Sequence, residues 1–141
     1  MSKIILLVSK FHETNIMIKN ASEIIKTHGG VLHLIYVIKM KMGVSIDAEV
    51  ENLVEEGENY LDEATQTAKL PRNSIETQLL QARNIGPAII YESNLINPDI
   101  IYLGQSKNYD NEKFLLDEDI KYIFENAKCD VVFFYNKNTL K

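Results

Sequence analysis

The sequence predicts an α/β fold: an open five-stranded parallel sheet, order 3-2-1-4-5, with helices on both faces, Rossmann-like, within one domain over residues 1–141. Three observations predict it. Short apolar runs rich in branched residues alternate along the chain with segments of helical periodicity, which implies parallel strands joined by right-handed crossovers. The first run, Ile4–Val8, is apolar at every position. A strand covered on both faces must read this way, so it belongs at the centre of the sheet. Last, 141 residues with 45% hydrophobic and 25% charged content suit one ordinary globular domain, which buries ~70% of the surface of its unfolded chain.

The elements follow in order. After Ile4–Val8 comes a polar loop, Ser9–Thr14, and then a helix whose apolar face is Ile16, Met17, Ala21, Ile24 and Ile25. Gly29-Gly30 ends it, because glycine accepts the left-handed conformation of a C-terminal cap. Val31–Val37 is the second strand, and Lys39–Ser45 a loop. From about Asp47 to Lys69, Val50, Leu53, Val54, Leu61, Ala64 and Ala68 mark a long amphipathic helix, with Pro71 just beyond its end. Gly57 inside that helix is a modest local cost. Ile75–Leu80 is the third strand. Pro87 suits the first turn of a helix running to about Leu95, and Ile100–Leu103 is the fourth strand, meeting Gly104. Ile120, Ile123, Phe124 and Ala127 define the last helix, and Val131–Tyr135, within Cys129–Tyr135, the fifth strand.

Composition excludes several classes of function. The net charge is −5, and with no basic run longer than Lys39–Lys41 a nucleic-acid partner is not expected. No apolar run approaches the length needed to span a membrane, and no signal-peptide pattern is present. The single cysteine, Cys129, forms no intrachain disulfide, and a reducing, cytoplasmic setting fits. His12, His28 and His33 lack metal-ligand spacing. Ser9 has no visible histidine–acid partnership that would make it a nucleophile. Neither a G-x-G-x-x-G nor a Walker-type lysine motif occurs. No catalytic residue and no metal site is expected.

In an open parallel sheet a ligand binds outside the carboxyl ends of the strands, where the strand order reverses. The positions to examine are Ser9-Lys10, Ile38-Lys39, Gln81–Arg83 and Gly104–Lys107. Two anchors stand out nearby. Pro98–Gly104 runs from a strand into a loop, and Asn126-Ala-Lys-Cys-Asp130 steps into the last strand. With the element order and length they make the whole chain resemble the universal stress proteins. In that family the first strand ends in an acidic and a small residue. The fourth strand enters a loop of the form G-x-x-G, nine residues, then G-[ST]. The resemblance implies a cleft for ATP, with backbone amides and a helix amino terminus facing the phosphates.

This chain departs from the pattern at the positions that matter. Gly104 matches the first glycine. Lys107 stands at the second, Asp117 at the third, Glu118 at the serine or threonine, and Lys10 at the acidic residue. Side chains at Lys107 and Asp117 crowd the approach of a phosphate. Carboxylates at Asp117, Glu118 and Asp119 repel it, by ~1 kcal/mol per charge pair in water and more when desolvated. Several such pairs offset much of the ~8 kcal/mol of a micromolar affinity. The expectation is a degenerate cleft and no cofactor, with ATP disfavoured.

Simpler readings stand beside these. Acids in a first turn complement the helix dipole, and Asp117 is a suitable N-cap. Lys10, Lys39, Arg83 and Lys107 are either a new anion site or solvated loop residues. Lys10 or Lys107 could instead turn toward Asp117–Asp119 and fill the vacated space. His33 packs or hydrogen-bonds within its strand, and Cys129 is a small buried apolar residue. The leading function is a non-catalytic, stress-associated binding or regulatory protein. The alternatives are a nucleotide-binding protein that takes ATP or a smaller anion, and a homodimeric interaction module. The last strand supports a homodimer in any case. Val131, Val132, Phe133, Phe134 and Tyr135 hold no charge or proline to blunt a sheet edge. The resemblance implies dimerisation through the same strand.

Overall fold

The computed structural model describes residues 1–10, 13–43, 50–106, 115 and 117–136. Its elements alternate as β1 (Ser2–Leu7), α1 (Glu13–His28), β2 (Gly30–Lys39), α2 (Glu51–Ala68), a single 3-10 turn at Arg72–Ser74, β3 (Ile75–Ala82), α3 (Ile85–Ile96), β4 (Ile100–Ser106), α4 (Asp117–Asn126) and β5 (Asp130–Asn136). The sheet order is β3-β2-β1-β4-β5, and every pairing is parallel. The uniformly apolar first strand is central, as the sequence predicts.

Successive side chains of a strand point to opposite faces, and β1 therefore feeds two cores. Ile4, Leu6 and Val8 pack with Met17, Ile18 and Ile25 of α1 and with Leu61, Ala64 and Ala68 of α2. Ile5 and Leu7 pack with Ile85, Ile89 and Ile90 of α3 and with Ile123 of α4. Helices α1 and α2 thus cover one face, and α3 and α4 the other.

The crossover from α1 to β2 depends on two glycines. Gly29 takes the left-handed conformation at φ 75°, and its N–H donates to the Ile25 carbonyl at 2.7 Å, closing α1 as predicted. Gly30 has a second role. It pairs with Ser2 across the β1–β2 ladder, and a Cβ at this position would lie 1.8 Å from the Ser2 carbonyl oxygen.

Two local expectations need correction. Gly57 is more than a weak point in α2, because a Cβ there would meet Leu79 Cδ1 at 2.7 Å and Tyr36 Cδ1 at 3.0 Å. The glycine lets α2 lie close on β2 and β3. The fourth strand does not stop before Gly104. Pairing with β5 continues through Gly104↔Phe134 and Gln105↔Tyr135 to Ser106↔Asn136, so Gly104 is a buried strand residue. The long helix is described from Glu51, and Asp47, where the sequence places its start, lies outside the described residues.

Candidate functional site

Strand order reverses between β1 and β4, so the crevice of an open sheet lies beyond their carboxyl ends. On the β1 side, Ser9 and Thr14 are both buried and tie the turn into α1. Thr14 Oγ1 accepts from Ser9 N–H at 3.2 Å, lies 3.0 Å from Ser9 Oγ, and donates toward the Ser9 carbonyl at 3.2 Å. Ser9 is thereby a structural residue of the turn.

Lys10 is exposed at the mouth of a cavity of about 180 Å³ between α1 and α2, with Ser9, Thr14, Asn15, Tyr60 and Glu63 around it. Tyr60 is held by a parallel stack on Tyr36, ring centroids 5.8 Å apart. Burial, with the nearby Glu56 and Tyr60, pushes the Tyr36 phenol up to about 12, so it is a neutral packing group.

On the β4 side, Gln105 is buried and clasps the main chain of Leu115. Its Nε2 donates to the Leu115 carbonyl at 2.5 Å, and its Oε1 accepts from Leu115 N–H at 3.2 Å. Leu115 is fully buried in the core under α3 and α4. The two ends of the connection from β4 to α4 are therefore joined through one carboxamide. Lys107 lies outside the described residues.

Helix α4 opens with Asp117, Glu118 and Asp119, and the three acids part ways. Asp117 and Glu118 are exposed. Asp119 is 2% exposed, and its Oδ1 accepts from Gly86 N–H at 2.9 Å. Gly86 sits in the first turn of α3, whose own N-cap residue, Asn84, makes no side-chain cap. An acid from α4 thus satisfies one of the free amides at the start of α3. The helices touch closely there. A Cβ on Gly86 would lie 2.9 Å from the Asp119 carbonyl oxygen and 3.1 Å from its Cα.

The remaining candidates are placed individually. Arg83 Nη1 donates to the Lys41 carbonyl at 2.6 Å, and Met40 N–H donates to the Ala82 carbonyl at 2.7 Å; these contacts join the ends of β2 and β3. His33 is half-buried on β2, opposite Ile5 and Glu76. Burial lowers its pKa, Glu76 opposes that, and Lys3 adds to it. Cys129 is half-buried in the core under α4, and burial, then Asp130 and Asp99, push its thiol up. A raised thiol pKa makes a poor nucleophile. Among the described residues no group of three His, Cys, Asp or Glu could hold a metal ion. No helix among them is long and apolar enough to cross a membrane.

Sequence reasoning singled out Lys10, Gly104 and the acids, but missed the Gly86–Asp119 junction, the Gln105 clasp and the α1–α2 cavity. One signal was available. Gly86 precedes Pro87 inside the first turn of a helix, where a glycine asks for a packing reason.

A doubly wound parallel sheet whose strand order reverses between its first and fourth strands defines a Rossmann-like α/β protein. Residues 1–134 match the universal stress protein family, and the chain belongs to that family. Solved structures with the same fold include a universal stress protein from Archaeoglobus fulgidus, 15% identical with a TM-score of 0.71, covering 94% of this chain and 98% of that one. Another is the Archaeoglobus fulgidus universal stress protein in complex with dAMP, 13% identical with a TM-score of 0.69, covering 94% and 97%. A third is UspA from Lactobacillus plantarum, 16% identical with a TM-score of 0.69, covering 94% and 96%. Among curated proteins no sequence match is found.

Proposed function

We propose that this chain is a non-catalytic, stress-associated binding or regulatory protein whose crevice has been rebuilt against a nucleoside triphosphate. One observation carries the reading. The first turn of α4, where the family resemblance calls for glycine and a hydroxyl facing phosphate, holds the exposed carboxylates of Asp117 and Glu118. Anions at a helix amino terminus satisfy its dipole themselves and repel a phosphate placed there. These residues do not fit ATP, and no resident cofactor is part of the proposal. A cytoplasmic setting goes with it. Titration with ATP, with and without Mg²⁺, is expected to show no micromolar binding and no ATPase activity. ATP carried through purification would overturn this.

A second reading is favoured by the relative in complex with dAMP. A monophosphate needs fewer phosphate contacts than ATP, so an altered cleft could still take AMP or a smaller anion. Saturable AMP binding without ATP binding selects this reading.

The protein is further proposed to act as a homodimer through β5, in line with the interaction-module alternative. β5 ends the sheet order and pairs only with β4 among the described residues. Its side chains are committed on both faces. Val132 and Phe134 pack toward α1 and α2, Val131 and Phe133 toward α3 and α4. The edge itself offers a row of backbone donors and acceptors that a two-fold partner strand can use. Residues 137–141 of the tail lie outside the described residues. Sedimentation at micromolar concentration is expected to show a dimer, and Phe133→Pro a monomer, because proline removes a ladder donor. A clean wild-type monomer, or a dimer that survives the proline unchanged, would refute the interface.

A further inference from the structure

We infer that the free edge of β3 is a docking site for an extended segment of a partner protein, one in which basic and apolar residues alternate. The site uses neither the crevice nor β5, so it stands whatever nucleotide the crevice takes.

β3 ends the sheet opposite β5 and pairs with β2 alone among the described residues. Its register against β2 runs one to one from Leu32↔Ile75 to Lys39↔Ala82, so no bulge interrupts it. A strand of this length offers an edge of about 26 Å. Proteins blunt such edges with charge, proline or a bulge. From Thr77 to Ala82 this strand has none of these. Its outward N–H and C=O groups can take up one more strand, the mode of recognition called strand addition.

The flank of α2 selects the occupant. This helix lies over β2 and β3, with Gly57 against Tyr36 and Leu79, and its side toward α1 holds Tyr60, Glu63 and Thr67. Glu51, Glu55, Glu58 and Asp62 recur at spacings of four, three and four. That spacing sets them in one stripe along the other side, above the β3 edge. All four are exposed, and none has an ion-pair partner among the described residues. No Lys or Arg occurs within Glu51–Ala68. Acids three and four residues apart repel along a helix and weaken it, so the stripe does not serve the helix itself. It also opposes a second copy of β3 as the occupant, because a two-fold axis would lay two such stripes side by side on one face of the joined sheet. A strand carrying Lys or Arg on that face is attracted instead.

The other face asks for apolar residues. Gln78 Nε2 donates to Glu92 Oε1 at 3.0 Å, which ties one flank of α3 to the middle of β3. Leu95 is three residues beyond Glu92 and so shares that flank. Tyr91 stands one turn before Leu95, and each is 65% exposed. Apolar side chains of an added strand would cover them. Successive residues of a strand point to opposite faces, so one strand meets both demands by alternating basic with apolar residues.

The test is amide NMR titration of the full chain with a peptide as long as β3 in which lysine and valine alternate. Two controls run beside it. One alternates glutamate and valine. The other is the lysine–valine peptide N-methylated at every peptide bond, which keeps the charges and has no backbone donor. The lysine–valine peptide is expected to saturate, with shifts and slowed amide exchange centred on Thr77–Ala82, and both controls to bind more weakly by about tenfold or more. Glu55→Gln/Glu58→Gln/Asp62→Asn should weaken the peptide by a similar factor. Its unfolding temperature should match or exceed wild type, because neighbouring like charges are removed. The inference is overturned if the peptide does not saturate by about 1 mM or if its shifts centre on β5. It is equally overturned if either control binds as well as the peptide, or if the triple variant binds it like wild type.

Discussion

Gly30→Ala is expected to destabilise the protein by on the order of 3–5 kcal/mol, a large share of the ~5–15 kcal/mol that holds a domain together. The added methyl carbon would sit 1.8 Å from the Ser2 carbonyl oxygen and 2.6 Å from the Ser2 nitrogen. Both are backbone atoms of the strand at the centre of the sheet, so no side chain can swing aside. Relief requires β1 and β2 to separate at Ser2↔Gly30, where their ladder begins. The positive φ of 126° adds strain for any L-residue. Gly43→Ala is the control. It too has positive φ, at 89°, but nothing lies within 4 Å of the new carbon, so it should lose only ~1–2 kcal/mol. Urea unfolding of both variants separates contact from conformation. Equal losses would show that the close approach to Ser2 does not matter.

Asp119→Ala is expected to lower stability by roughly 2–3 kcal/mol, about 3–5 °C per kcal/mol in melting temperature for a domain of this size. Two effects add. The Gly86 N–H loses its acceptor in a buried setting, which costs about 1–3 kcal/mol, and the start of α3 loses a neighbouring negative charge. The hydrogen bond runs from Gly86 N to Asp119 Oδ1 at 2.9 Å. Asp119→Asn keeps that oxygen and should recover about half of the loss. Glu118→Ala, at an exposed position, should stay within ~0.5 kcal/mol of wild type. A thermal scan in which the two alanine variants melt together would remove Asp119 from its structural role.

The sheet was legible because its signals are local. Ile4–Val8 is apolar throughout, and burial on both faces is the condition that produces such a run. Val131–Tyr135 read as a strand for a similar reason, although as an edge strand it is only half-covered. Gly29 read correctly as a helix stop because its left-handed conformation serves its own helix. The close approach at Gly30 could not be read, because it depends on which residue of β1 lies opposite. Gly86 and Asp119 lie 33 residues apart, and Gln105 and Leu115 lie 10 apart. Such contacts arise from packing, which no periodicity encodes. The carboxylates of Asp117–Asp119 looked alike in sequence. Burial alone assigns Asp119 to the fold and leaves Asp117 and Glu118 facing solvent.

The central claim is that acids and side chains at the old glycine positions are what exclude a triphosphate. The direct measurement is equilibrium titration with ATP of the wild-type chain beside Lys107→Gly/Asp117→Gly/Glu118→Ser. The variant leaves Asp119 and Gln105 untouched, so the junction with Gly86 and the clasp on Leu115 remain. Wild type is expected not to saturate in the micromolar range. The variant is expected to bind at least about tenfold more tightly, a difference of ~1.4 kcal/mol, modest against the two carboxylates removed. A micromolar dissociation constant for wild type, or a variant that gains nothing, would contradict the claim.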